Sequence, residues 1–252
     1  DELKVFNKIT RQPYGIILVT GPTGSGKSTT LYTVLKDLNK EEQNIITVED
    51  PVEYKLHGIN QVQVNTKAGL TFANGLRSIL RQDPDIIMIG EIRDSETAQI
   101  AVRASITGHL VLSTLHTNDT ASAVARLVDM GIEPYMVSTS VIGIVSQRLV
   151  KRLCPSCNIA YEANLKEKAL LNIDPQQQLT LRKANGCNKC IKGYRGRVPV
   201  HEVMFMDQSL RRLVDMRSTT DDIKTLYDNV VKLALDGVTS MEEVLRIGYT
   251  TD

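Results

Sequence analysis

The chain has 252 residues, enough to bury a sizeable core and to hold one large domain, or one domain and a small module. It is 42% hydrophobic and 23% charged, an ordinary globular composition, and 30 basic against 29 acidic side chains leave a net charge of +1, which excludes a global field for nucleic acid. No apolar run approaches the roughly 18 residues of a membrane span, the longest pieces being "GIILV" and "SVIGIVS". The first residue is Asp1 and not Met, as expected of a fragment of a longer protein.

In chain order, residues 15–20, "GIILVT", read as a buried strand that ends at a glycine-rich turn. A helix follows over 28–39, with Leu31, Leu35 and Leu38 at helical spacing. "NIITVED" (44–50) is a second buried strand stopped by Pro51, and the alternation around a glycine in "YKLHGINQVQVN" (54–65) predicts a hairpin. Residues 72–82 place Phe72, Leu76, Ile79 and Leu80 on one helical face, with Arg77 and Arg81 four apart on its flank. A strand at 85–90, a helix over 95–106 and a strand at 109–116 complete an alternation that predicts an α/β fold with a mostly parallel sheet covered on both faces.

A helical region from about 120 to 150 is expected to close this first domain, residues 1–150. Residues 151–206 change character and predict a small metal module, with a short helix on an arm in "NLKEKALLNI". From 207 to 252 the tail reads as helical, and "SMEE" (240–243) has capping-box form ahead of the last helix.

The nine residues "GPTGSGKST", Gly21, Pro22, Thr23, Gly24, Ser25, Gly26, Lys27, Ser28 and Thr29, fit the P-loop pattern directly after a strand and directly before a helix. Glycines there let backbone N–H groups converge on phosphate oxygens, and the helix N-terminus adds positive potential. Lys27 is placed for the β- and γ-phosphates of a nucleotide and the Ser28 hydroxyl for Mg²⁺. The acids Glu49, Asp50 and Glu53 lie just beyond the second strand, facing either the γ-phosphate or, as a solvated loop, nothing. Glu91 follows the third strand in the same way, and an acid there is expected to tie Mg²⁺.

His109 and His116, seven apart, would point to opposite faces of one unbroken strand, so they do not chelate one metal. His116, at the carboxyl end, suits γ-phosphate sensing. His109 reads first as a structural hydrogen-bonder, with γ-phosphate sensing as its second use. The pairs Cys154-x-x-Cys157 and Cys187-x-x-Cys190 would each bring two thiolates to one point, making a closed four-sulfur site for structural Zn²⁺. The gap between them exceeds the usual ribbon spacing, and the helical arm would account for the excess; a redox dithiol is the competing use.

"GPTGSGKSTTLY", "TVEDPVE", "LRSILRQDPDIIMIGEIRD" and "TGHLVLSTLHTND", in that order over residues 13–120, resemble the Walker A, Asp box, Walker B and His box of the secretion ATPases, the motors of type II secretion and type IV pilus assembly. The resemblance implies a RecA-like P-loop core that binds ATP and Mg²⁺, with Glu91 organising the metal and Glu53 as the general base that orients water. It implies a hexamer in which arginines, with Arg77, Arg81, Arg93 and Arg126 as candidates, complete sites between subunits. The alternative is that Arg77 and Arg81 only decorate a helix face and that Arg93 pairs with Asp94 or Glu96. The family also carries an upstream domain that closes over the nucleotide, so weak hydrolysis is expected of this chain by itself.

The tetracysteine module, often followed by "GYRGR", belongs to the assembly and secretion branch of that family rather than to retraction motors. A cytoplasmic ATPase peripheral to the bacterial inner membrane is therefore expected, with an inner-membrane platform protein and a membrane-anchored recruiting protein as partners. The competing reading is a P-loop nucleic-acid motor with a zinc-ribbon reader. Against it stand the neutral charge, 4% aromatic content and no basic-aromatic stripe. A non-catalytic scaffold is disfavoured by the presence of Lys27, Glu53 and Glu91 together.

Overall fold

A computed structural model describes residues 2–215 and 224–248; the helical tail expected at 216–223 and 249–252 lies outside the described residues. The chain divides into two compact units, one of Asp1–Ser146 with Glu202–Ile223, the other of Gln147–His201 with Lys224–Asp252. The C-terminal region expected as one helical piece is divided between them.

The first unit opens with α1 (Glu2–Thr10) and β1 (Gly15–Thr20), followed by α2 (Lys27–Leu38), β2 (Ile45–Glu49), β3 (Asn60–Gln63), α3 (Phe72–Ile79), β4 (Ile86–Ile89), α4 (Ser95–Ile106) and β5 (Leu110–Leu115). Next come α5 (Thr120–Asp129), α6 (Pro134–Ser140) and β6 (Val141–Leu153), of which the part up to Ser146 belongs to this unit. The sheet has the order β3-β2-β4-β5-β1-β6-β9, where β9 is Tyr194–Phe205. The pairs β1–β5, β1–β6, β2–β3, β2–β4 and β4–β5 are all parallel.

Buried runs rather than alternating ones form these strands because both faces are covered. Along β1, Ile16 and Leu18 join the apolar cluster on one face while Ile17 and Val19 join that on the other. Leu31, Tyr32 and Leu35 of α2 pack into the second cluster, and Leu76, Ala98 and Val102 into the first.

Two expectations fail here. The hairpin at 54–65 is absent: β3 pairs with β2 in parallel, Ile46 opposite Asn60, and residues 54–59 form a loop. The reason is Gln61, whose Oε1 accepts from the Leu56 N–H at 2.7 Å and whose Nε2 donates to the Tyr54 carbonyl at 3.2 Å, so the loop wraps one side chain instead of pairing with a strand. The helical reading of 120–150 holds only to Ser140. Val141–Arg148 then run as buried strand, its first part beside β1, because β-branched residues on a two-sided buried surface pack better in a pleat than around a helix.

The second unit contains β7 (Ile159–Glu162), α7 (Leu165–Leu170) and β8 (Thr180–Lys183), with β7 and β8 antiparallel. The Asn164 side chain caps α7 through the N–H groups of Lys166 and Glu167, while Glu167 returns a bond to the Asn164 N–H. These elements fill the chain between the two cysteine pairs, so the expected arm is a small sheet with a helix. The tail contributes α9 (Leu226–Leu235) and α10 (Met241–Gly248) to this unit, after α8 (Gln208–Asp215) in the first. Val150, Leu181, Val200, Leu226, Val230 and Val244 make its core.

The expected capping box at α10 does not form. The fully buried Glu243 carboxylate instead accepts from the Lys151 N–H at 2.9 Å and from Arg246 at 2.7 Å, and Ser240 bonds the Tyr194 hydroxyl at 2.8 Å. Gly193 lies in this unit at φ 84°, where an added Cβ would meet the Asn185 backbone nitrogen at 2.7 Å. Gly193→Ala is expected to lower the stability of this unit by about 1–3 kcal/mol, read as an earlier denaturant midpoint for its transition.

Candidate functional site

After Thr20 the chain turns through residues 21–26 into α2. Gly21, Gly24 and Gly26 take φ of 141°, 77° and 92°. A Cβ on Gly24 would meet nothing within 4 Å, so the backbone angle and not space demands glycine there. Lys27 is buried and folds back over the loop, its Nζ donating to the carbonyls of Gly21 at 2.8 Å and Pro22 at 3.1 Å. Pro22, Thr23, Gly24, Ser28 and Thr29 are exposed, while Ser25 is buried. α2 starts without a side-chain cap, which opens its dipole to an anion. Left-handed glycines, a lysine and an uncapped helix start form a donor set suited to a polyphosphate.

The parallel register sets what else stands at this edge. Thr20 pairs with Leu115, and Val48 with Ile89, so the carboxyl ends of β1, β2, β4 and β5 coincide. Glu53, Glu91 and His116 all follow those ends, as ligand-binding groups do in open α/β sheets. Glu91 is held from both sides: Thr114 Oγ1 donates to the Gly90 carbonyl at 2.8 Å, and the Ile92 N–H donates to the Thr114 carbonyl at 3.0 Å. Its carboxylate, 14% exposed, carries a very short ion pair with Arg93 and lies 3.4 Å from His116 Nε2. That contact holds the Arg93 guanidinium above its ordinary pKa.

Glu49 does not face the phosphate edge. It is buried, and its oxygens take bonds from the Tyr32 hydroxyl, from Thr47 Oγ1 at 2.5 Å and from Gln61 Nε2 at 3.1 Å. Glu53, by contrast, is exposed. Spacing alone did not separate the two, nor did it signal the hydroxyls of Tyr32 and Thr114.

In the second unit the four sulfurs of Cys154, Cys157, Cys187 and Cys190 lie within 4.8 Å of one another. The pairs 154–187, 157–190 and 187–190 are 4.0, 3.7 and 3.7 Å apart. A tetrahedral site with Zn–S bonds of about 2.3 Å puts its sulfurs roughly 3.8 Å apart, and a disulfide would need about 2.05 Å. Each pair closes a knuckle turn, with the Cys157 N–H on the Cys154 carbonyl and the Cys190 N–H on the Cys187 carbonyl, both at 3.3 Å. Four ligands with no open position fit a structural Zn²⁺.

Residues 1–246 match the family described as Type II/IV secretion system protein. The chain belongs to that family. Type II secretion system protein E of Pseudomonas aeruginosa is 53% identical over 253 residues, covering 97% of this chain and 50% of the relative. Type II secretion system ATPase E of Vibrio cholerae is 52% identical over 254 residues, with 96% and 50% covered. This family member thus spans about half the length of the curated relatives it matches. Among solved structures, the pilus retraction motor PilT with bound ADP shares its fold at a TM-score of 0.73 and 29% identity, covering 98% of this chain and 64% of that one. The Legionella pneumophila ATPase DotB does so at 0.71 and 22%, with 98% and 63% covered, a likeness of fold alone.

Within this secretion-family core, His109 is misplaced for phosphate sensing. It precedes β5 at the amino edge of the sheet, and its Nδ1 lies 2.9 Å from the Ala104 carbonyl, so the structural alternative describes it. A strand six residues long separates it from His116. Of the arginines, Arg77 pairs with Glu96 at 2.5 Å, Arg93 pairs with Glu91, and Arg81 and Arg126 are exposed on or after α3 and α5. Asp94 is committed elsewhere, capping α4 through the Thr97 N–H at 2.7 Å. No helix among the described residues is long and apolar enough to cross a membrane.

Proposed function

We propose that this chain is the motor portion of a hexameric cytoplasmic ATPase that converts ATP hydrolysis into pseudopilus assembly and type II protein secretion. The observation that carries the reading is the shared sheet edge, where a P-loop with its buried Lys27 stands at the same strand ends as Glu53, Glu91 and His116. The identity of 53% and 52% to proteins named for type II secretion supports the assignment of system. The bound ADP named for PilT supports the nucleotide. The four clustered cysteines favour an assembly or secretion motor over a retraction motor.

In this reading residues 21–29 cradle the phosphates, and Lys27 leaves its two carbonyl partners for the β- and γ-phosphate oxygens. Ser28 and Glu91 would hold Mg²⁺, which supplies positive charge against the phosphates. Glu53 orients the attacking water and accepts its proton. His116, beside Glu91, senses the γ-phosphate. Arg81 and Arg126, exposed and outside the ion pairs described above, are the arginines best placed to reach a neighbouring subunit. The zinc module is structural. The partners are an inner-membrane platform protein and a membrane-anchored recruiting protein, which hold the ring at the membrane.

The test is ATP turnover per chain over a wide concentration range, with Lys27→Ala as the blank, and in parallel for the chain joined to the further half its relatives carry. A specific rate that rises with concentration, and rises again in the longer protein, is expected for a site completed between subunits. A flat and substantial rate would sink the inter-subunit reading. Turnover stimulated by a polynucleotide would favour a nucleic-acid motor instead.

A further inference from the structure

The loop that carries Glu53 is fastened to the phosphate-binding helix through one hydroxyl. Tyr32 stands on α2, five residues after Lys27, and is almost wholly buried. Its hydroxyl proton goes to Glu49 Oε2 in a very short bond. The oxygen is then left as an acceptor, and it takes the Glu53 N–H at 3.2 Å and Gln61 Nε2 at 3.4 Å. Burial and the adjacent Glu49 push the Tyr32 hydroxyl far above the ordinary phenol value, which keeps its proton in place.

Further contacts make this a brace rather than a single bond. The Tyr32 ring meets the Tyr54 ring edge-on, centroids 4.7 Å apart, and Lys36, one turn along α2, lies 5.4 Å from the Tyr54 centroid. From the other side Gln61 holds the Tyr54 carbonyl and the Leu56 N–H, and Gln63 Oε1 takes the Val52 N–H at 3.3 Å. Glu53 itself projects from this braced segment and is exposed. A buried carboxylate facing only hydrogen-bond donors is costly to build for packing alone, since apolar residues would fill the same space.

We propose that Tyr32, oriented by Glu49 and seconded by Gln61, is a positioning residue that sets the Glu53 backbone against the phosphate-binding helix. A shift of α2 on binding nucleotide is thereby passed to the water-orienting carboxylate. This rests on Glu53 acting as the base, as proposed above. A displacement of about 1 Å at such a group lowers turnover by up to about 100-fold without weakening ground-state binding.

The experiment is a double-mutant cycle in the full-length protein. Turnover and affinity for a fluorescent ATP analogue are measured for wild type, Tyr32→Phe, Glu53→Gln and the double variant. Tyr32→Phe is expected to lower kcat by about 10- to 100-fold in the wild-type background. It is expected to change kcat less than about twofold once Glu53 is Gln, and to leave affinity within about twofold throughout.

Equal losses in both backgrounds would show a general structural role and overturn the inference while leaving Glu53 as the base. An affinity loss in place of a kcat loss would overturn it as well. An unchanged kcat in Glu53→Gln alone would remove the base assignment, and the coupling with it. Should Tyr32→Phe fail to fold, Gln61→Met frees the Tyr54 carbonyl and the Leu56 N–H while keeping the Tyr32–Glu49 bond, and the same pattern is expected of it.

Discussion

Glu91→Gln is expected to bind ATP as well as wild type while turning it over about 100- to 1,000-fold more slowly. The carboxylate stands at the end of β4, between a bond from the Thr114 hydroxyl to the Gly90 carbonyl and one from the Ile92 N–H to the Thr114 carbonyl, so the amide would occupy the same place without the charge. What disappears is the anion proposed above to hold Mg²⁺, and with it the charged partner of Arg93 and His116. A single-turnover rate and a binding isotherm on the same sample separate the two effects. Turnover within about threefold of wild type would transfer the role to another acid at the sheet edge, Asp50 or Glu53. The Arg93 contact adds a second expectation: Arg93→Ala leaves Glu91 without its nearest cation, so a loss of turnover is predicted even though Arg93 contributes nothing to the P-loop.

The second large effect concerns the cysteines. Cys154→Ser is expected to abolish stoichiometric zinc and to unfold the unit formed by Gln147–His201 and Lys224–Asp252. Structural Zn²⁺ contributes on the order of 10 kcal/mol to small domains. The core of this unit, built around Val150, Leu181, Val200, Leu226 and Val230, is small by comparison. Metal analysis together with limited proteolysis tests the point: cleavage should appear in 158–186 while the P-loop unit stays protected. A chelator should reproduce the pattern in the unmutated chain, and added Zn²⁺ should reverse it. Retention of zinc and of protease resistance in Cys154→Ser would remove Cys154 from the ligand set. Four titratable thiols after chelation are expected as well, because sulfurs 3.7–4.0 Å apart are not disulfide-bonded.

The phosphate loop and the cysteine pairs were legible because their chemistry is local. A backbone that must curl around phosphate needs glycine at set spacing, and a thiolate pair at a turn needs C-x-x-C. The strands β1, β2, β4 and β5 were legible because a strand buried on both faces must be an unbroken apolar run, and helix α4 because its apolar positions recur every three or four residues. The same reasoning misread 141–150. An apolar run next to a helix has no period of its own, and only its place beside β1 makes it strand β6.

The P-loop, the knuckles, the buried strands and most helices were therefore readable along the chain, since their demands are met within a few residues. The remainder depends on partners brought in from distant parts of the chain. Glu49 and Glu53 are four residues apart and chemically alike, yet one is buried under Tyr32 and the other exposed, because Tyr32 and Gln61 bond the carboxylate of the first, whereas Tyr32 takes only the backbone N–H of the second. Arg93 chose Glu91 over Asp94, which was already taken as the cap of α4. His109 and His116 fell to opposite edges because a strand of parallel register lies between them. In each case the deciding partner is an element whose position pairing and packing set, and no spacing along the chain encodes such a distance.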